Sequence, residues 1–206
     1  MTLDFVRERI DRAAKSVASL NAIAPDIHAA ATLIADRLLA GRTLLTCGNG
    51  GSAAEAMHLT EEIVGKYRNP RRPFPAICLN ADPTAITCIA NDFGYESVFS
   101  RQVEAFGKSG DVLVVFTTSG ASPNVLKALQ IAQRLGMERI GLLGKGGGAA
   151  KGLCSHPIVV PDDAAGGDTA HIQEAHQVVL HLFLENVERA ISTEHGAHKG
   201  RDTVTS

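Results

Sequence analysis

The run Asp111-Val112-Leu113-Val114-Val115-Phe116 is the segment that most narrows the folds open to this chain. Its apolar residues follow one another with no polar residue alternating between them, the pattern of a strand covered on both faces at the centre of a parallel sheet. Around it, strand-like and helix-like segments alternate. Thr43 to Cys47, Ala76 to Asn80, Arg139 to Leu143 and Pro157 to Val160 read as further short strands. Helices are expected from the Gly48–Ser52 loop to about Tyr67, from Asp82-Pro83 onward, from about Tyr95 to Phe106, from Pro123 to about Leu135, around Ala149 to Leu153, and from about Thr169 to Ile191. At Asp82-Pro83 an acidic N-cap precedes proline at the first helical position. Two further helices, broken at Pro25, precede the first strand and end near Gly41.

This order implies right-handed crossovers and an α/β fold: a central parallel sheet of about five strands flanked by helices, with N-terminal helices and a long C-terminal helix. The expected organisation is a single domain over residues 1–193, with helices at 1–41 and the α/β core and last helix at 42–193, followed by a flexible tail at 194–206. A chain of 206 residues suits one such core. No continuous apolar run approaches the roughly 18 residues of a spanning helix, and the N-terminus lacks a signal-peptide layout. We therefore expect a cytoplasmic protein with no membrane partner. The net charge of -2 gives no reason to expect nucleic acid, and the basic cluster Lys66, Arg68, Arg71, Arg72 is short. Cysteines 47, 78, 88 and 154 have no Cys-x-x-Cys spacing and read as reduced structural thiols.

In parallel sheets ligands sit beyond the carboxyl ends of the strands, and Gly48–Ser52, Asn80–Asp82 and Thr117–Ser122 all fall at that edge. Thr117-Thr118-Ser119-Gly120-Ala121-Ser122 offers hydroxyls, backbone N–H groups and the start of a helix, which together suit a phosphate monoester. The pattern is not a Walker A loop, and ordinary turn and N-cap chemistry is the alternative. His58 and Glu62 lie one helical turn apart and can ligate a divalent metal, or the carboxylate can act as a base; an exposed i,i+4 pair is the other reading. The last helix carries His171, Gln173, Glu174, His176, Gln177 and His181 among Val178, Val179, Leu180, Leu182, Phe183 and Leu184. Polar groups on a core helix need partners, which metal binding would supply, unless they form a solvent stripe.

Six collinear motifs resemble the phosphoheptose isomerase family of the sugar-isomerase (SIS) domain superfamily. They are Gly48-Asn49-Gly50-Gly51-Ser52-Ala53-Ala54, His58 with Glu62, Ala90-Asn91-Asp92-Phe93-Gly94-Tyr95, Phe99-Ser100-Arg101-Gln102-Val103, Thr118-Ser119-Gly120 with Ser122-Pro123-Asn124, and Ile172-Gln173-Glu174 with His181. The resemblance implies an aldose–ketose isomerase of a seven-carbon sugar phosphate, a homotetramer with active sites between subunits and one zinc ion in each. It implies His58, Glu62, Gln173 and His181 as metal ligands, with Glu62 and His181 as the proton-transfer pair. Ser52, Thr117, Thr118, Ser119 and Ser122 would hold the phosphate, and Asn49, Asp82, Asn91 and Asp92 would meet the sugar hydroxyls, with Glu62 and Gln173 also facing substrate. The family suggests surface-polysaccharide heptose synthesis as the pathway.

The chain departs from the family at Lys66, often arginine; at Thr117, more often serine; at Ala121, where a lysine is frequent; and over residues 164–170. The other readings are an isomerase of a different sugar phosphate such as an octose phosphate, a sugar-phosphate-sensing module, and the non-catalytic regulator of the same fold that binds a replication initiator. The last two do not need both Glu62 and His181.

Overall fold

A computed structural model describes residues 1–161 and 166–199, with side chains as far as Ser192. Five parallel strands form one sheet: β1 (Leu44–Gly48), β2 (Ala76–Cys78), β3 (Val112–Thr117), β4 (Glu138–Leu143) and β5 (His156–Val159), in the order β2-β1-β3-β4-β5. β3 lies at the centre and every one of its residues is buried, as its unbroken apolar run requires. The registers Leu44↔Val112 and Val112↔Glu138 align β1, β3 and β4, so their carboxyl ends open on one edge.

The helices are α1 (Leu3–Ser19), α2 (Ala24–Leu39), α3 (Gly51–Val64), α4 (Pro83–Phe93), α5 (Ser100–Phe106), α6 (Pro123–Arg134) and α7 (Thr169–Lys199). Alternate strand residues feed opposite cores because successive side chains point to opposite faces. Leu44, Val112, Val114, Phe116, Ile140 and Leu142 pack with α2, α3 and α7, while Leu45, Cys47, Leu113, Val115 and Leu143 pack with α5 and α6. Each fully buried Leu, Val or Phe side chain contributes roughly 1.5–3 kcal/mol. Cys47 belongs to this packing, its thiol pushed well up by burial and then by Cys78. Cys154, against the Arg139 strand, is raised to about 12 by burial, whereas Cys88 is exposed.

Several elements differ from the sequence reading. The stretch from Tyr95 to Phe106 is a 3-10 turn, Tyr95–Ser97, followed by α5, and the segment before β5 is two 3-10 turns, Lys145–Gly147 and Lys151–Leu153. α3 stops at Val64, three residues before Tyr67, where Arg71 donates to the Glu62 and Ile63 carbonyls at 2.5 and 3.0 Å and satisfies the end of the helix. The last helix continues to Lys199, past the expected Ile191 and into the expected tail, because helical hydrogen bonds are local and continue without an apolar stripe; residues 200–206 lie outside the described residues. The N-terminal reading also needs correction. Although no continuous apolar run occurs, Leu3–Leu39 contains a helical window long and apolar enough to cross a membrane, since alanines raise its average. Within it, α2 buries Ile27, Ala30, Ala31, Ile34, Ala35 and Leu38 against the sheet and α7.

Candidate active site

The strand order reverses direction between β1 and β3, and their chain extensions leave the sheet to opposite faces, opening a crevice at the carboxyl edge. Both candidate loops border it. The β1 loop turns through Gly50 at φ 57°, a conformation suited to glycine, directly into α3. Asn49 and Asn124 then join the two loops by a closed pair of amide hydrogen bonds, Asn49 Nδ2 to Asn124 Oδ1 at 2.9 Å and Asn124 Nδ2 to Asn49 Oδ1 at 2.8 Å. Tyr95 donates its hydroxyl to Asn49 Oδ1 at 3.1 Å. Asn49, expected at a sugar hydroxyl, here also clamps the two loops together. Asn124 and Tyr95 stand in the sequence motifs without an assigned role, and the local signal for Asn124 is a polar residue buried one place after Ser-Pro.

The β3 turn is internally braced. Thr117 Oγ1 accepts from Gly120 N at 3.2 Å and Ser119 Oγ from Ala121 N at 3.3 Å, which leaves both hydroxyl protons to donate. Ser122 begins α6 without spending its side chain on the cap, and Thr118 is half-buried beside it. Gly120 sits at φ 61° against the Gly147 carbonyl, where a Cβ would collide. The turn thus presents hydroxyls and N–H groups at the start of a twelve-residue helix, the chemistry of an anion cradle.

The second half of the site is a seam between α3 and α7, which run parallel. Ser52 Oγ accepts from Gln173 Nε2 at 3.4 Å at its top, and Gly51 permits that approach, since a Cβ there would stand 2.5 Å from Gln173 Nε2. Lower down, His58 Nδ1 meets Gln177 Oε1 at 3.1 Å. Because the amide oxygen only accepts, Nδ1 carries the proton and Nε2 presents its lone pair. That Nε2 lies 3.7 Å from Glu62 Oε1, and the His58 and His181 rings meet edge-on with centroids 5.4 Å apart. Tyr67 stacks on His181 at 5.8 Å. Burial first, and His58 next, hold the His181 imidazole below its ordinary pKa, against the pull of Glu62, so it favours the neutral form a metal ligand needs.

Ligand atoms of His58, Glu61 and Glu62 lie within 4.8 Å of one another, a group able to hold a metal ion. One imidazole and a pair of carboxylates, with a second imidazole alongside, suit a divalent cation of the zinc type. Glu61, which has no part in the motifs above, belongs to this group and is exposed. Of the four ligands implied by resemblance, His58, Glu62 and His181 come together. Gln173 is turned to Ser52, eight residues from His181, about 12 Å along the helix axis. Gln177, which fixes the His58 tautomer, had no role in the sequence reading.

The remaining candidates are placed less centrally. The Asp82 carboxylate caps α4, accepting from Thr84 N at 2.8 Å and Ala85 N at 3.1 Å, and the Thr84 hydroxyl hydrogen bond is the first cause of its lowered pKa. Asn91 donates to Asp92 Oδ1 at 2.7 Å on the exposed last turn of α4. Lys66 is exposed beyond α3. Within the atypical 164–170 segment, residues 164 and 165 lie outside the described residues; Asp168 pairs with Arg9 at 2.7 Å.

A family model described as SIS domain matches residues 8–144. A phosphoheptose isomerase of Fusobacterium nucleatum is 46% identical over 154 residues, 75% of this chain and 77% of that protein. One of Akkermansia muciniphila is 43% identical over 188 residues, 91% of this chain and 97% of that protein. Among solved structures, a phosphoheptose isomerase from Francisella tularensis superposes with a TM-score of 0.86 at 34% identity, covering 92% of this chain and all of that one.

Proposed function

The chain belongs to the SIS-domain family and, within it, to the phosphoheptose isomerases, and we propose that it interconverts sedoheptulose 7-phosphate and D-glycero-D-manno-heptose 7-phosphate through an enediol, with a zinc ion bound in each site. The observation that carries this reading is the meeting of His58, Glu62 and His181 on two helices beside a glycine loop and a hydroxyl turn. In the direction from the ketose, the Glu62 carboxylate takes a proton from C1 and returns it to C2, so that the carbonyl moves from C2 to C1. His181 moves the accompanying proton between the two oxygens. A half-buried carboxylate 3.7 Å from the His58 ring, with the His181 ring edge-on beside that one, suits both transfers. Bound at His58, Glu62 and His181, zinc would supply positive charge beside the oxygen where negative charge builds.

Thr117, Thr118, Ser119 and Ser122 would grip the phosphate, with Ser52 and Gln173 above the reacting carbons. Asp82, Asn91 and Asp92 would serve the sugar hydroxyls from a neighbouring subunit's side of the site. Assembly into a homotetramer is supported by α4, which buries none of its residues, and by the adjoining groove of about 820 Å³. Met57, Val64 and Phe106 border it, each about half exposed. With a sugar phosphate as substrate, the cytoplasm is the compartment in which we propose the protein acts. Sedimentation equilibrium measures the assembly, and a monomer at micromolar concentration would remove the shared-site arrangement.

The deciding experiment follows sedoheptulose 7-phosphate in deuterated water, with and without zinc after chelation. Zinc-dependent exchange at C1 and C2 with appearance of the aldose is the expected result. Exchange with another sugar phosphate but not with this one would move the substrate, and binding without exchange would leave a sensing protein.

A further inference from the structure

Between the two functional rungs of the α3–α7 seam lies a third that the reaction does not use. Glu55 and His176 are buried, with side-chain exposures of 4% and 0%, and Glu55 Oε2 stands 3.8 Å from His176 Nδ1. Among the described residues, neither Glu55 oxygen nor His176 Nδ1 has a hydrogen-bond partner. The other ring nitrogen, Nε2, lies 3.3 Å from the Leu143 carbonyl. A carbonyl only accepts, so Nε2 carries a proton and Nδ1 faces the carboxylate. Two lone pairs cannot be left facing each other in an apolar interior, and one proton between them, on either side, makes the pair neutral overall.

The position of this rung is what gives it consequence. Glu55 sits between Ser52 and His58 on α3, and His176 between Gln173 and Gln177 on α7. Ser52 and Gln173 form the rung on one side, His58 and Gln177 the rung on the other. His176 is also tied to the last residue of β4 and packs edge-on against Phe116 of β3, ring centroids 6.3 Å apart, which references this rung to the middle of the sheet. We propose that Glu55 and His176 share one proton and thereby hold α3 and α7 at the spacing that sets His58 and Glu62 opposite His181. Neither residue touches the reacting groups; both are positioning residues. The inference rests on the metal reading above for its effect on zinc, and on the structure alone for its effect on His58.

Glu55→Gln keeps the shape and can donate to His176 Nδ1, whereas Glu55→Leu leaves that nitrogen without a partner. Glu55→Leu with His176→Leu removes both polar groups and should recover thermal stability that the single leucine variant loses. Zinc affinity measured by chelator competition should stay within about threefold of the parent in Glu55→Gln and fall about 10- to 100-fold in both leucine variants, the usual cost of losing an outer-shell partner. Nitrogen NMR of the metal-free protein supplies a second reading: the Nδ1–H tautomer of His58 should persist in Glu55→Gln and become mixed in both leucine variants. A stable double-leucine variant with parental zinc affinity, or with an unchanged His58 tautomer, would reduce the pair to packing and overturn the proposal. Should the parent bind no zinc, the metal reading fails, while the His58 tautomer still judges the positioning.

Discussion

The cradle on β3 and the seam between α3 and α7 share the loop Gly48–Ser52, yet they are built on different physical terms. The cradle is local: six consecutive residues, braced by hydrogen bonds two and three residues apart, at the start of one helix. The seam is assembled from residues more than a hundred positions apart, and each rung depends on two helices docking on the same sheet face. A local device can grip an anion in ground and transition state alike, which is uniform binding. The seam brings together groups that exchange protons, where only differential stabilisation raises the rate.

The largest expected contrast comes from Glu62→Gln. Shape and size are kept while proton acceptance is lost, so kcat should fall by about 10²- to 10⁴-fold with sugar-phosphate affinity nearly unchanged. Rapid-quench turnover with calorimetric binding checks this, and a variant that turns over at the parental rate would take the base away from the seam. Ser119→Ala should act on the other side of the comparison. Losing one hydrogen bond to a charged phosphate costs about 1.5–3 kcal/mol, which raises KM roughly 10- to 100-fold and leaves kcat near its original value. An unaltered KM would place the phosphate elsewhere.

The same division explains what could be read from the chain. The parallel sheet, the central position of the apolar run now seen as Val112–Thr117, and the hydroxyl turn leading into a helix were legible because they rest on short-range pattern: an apolar run, glycines, and a Ser-Pro helix start. The Asp82 cap was legible for the same reason. The roles of Gln177, Glu55 and Asn124 were not, because a glutamine or glutamate on an amphipathic helix looks the same facing solvent or facing a partner helix. Only docking showed that Glu55 is buried and that Gln177 fixes the His58 tautomer. Resemblance supplied the pairing of His58 and Glu62 with His181, which periodicity alone left open. It also supplied Gln173 as a metal ligand, whereas the folded chain turns that side chain toward Ser52.

One substitution, glycine to alanine, sharpens the comparison when made in each region. In the cradle, Gly120→Ala would place a Cβ at φ 61° against the backbone of Gly147, which cannot swing away as a side chain can. It should cost about 1–3 kcal/mol, read as a lower urea midpoint at unchanged m-value. In the seam, Gly51→Ala meets only the flexible end of Gln173. Stability should change by less than about 1 kcal/mol, while kcat/KM falls several-fold as Gln173 is displaced. Equal stability losses at the two positions would erase the distinction between a rigid cradle and an adjustable seam.

The smallest effect is in the acid limb of stability, and it separates the regions by pH. His181 faces His58, Glu62, Glu185 and Arg68, with Tyr67 stacked on it, and burial is the first cause that holds its pKa below the ordinary 6.5. Between that lowered value and 6.5 the unfolded chain binds more protons at this site than the folded one, so stability falls as pH drops through the window. Asp82, capping α4 at the cradle's side of the sheet edge, is also lowered, but from 3.8. Its favourable contribution is complete above the unfolded value and is lost only as pH falls through the folded one. Urea midpoints of the chelated protein should therefore soften first as pH falls below 6.5 and again as it falls below 3.8. His181→Gln should remove the first slope and Asp82→Ala the second. A first slope that survives His181→Gln would assign it to another histidine and release His181 from the desolvated position that the seam gives it.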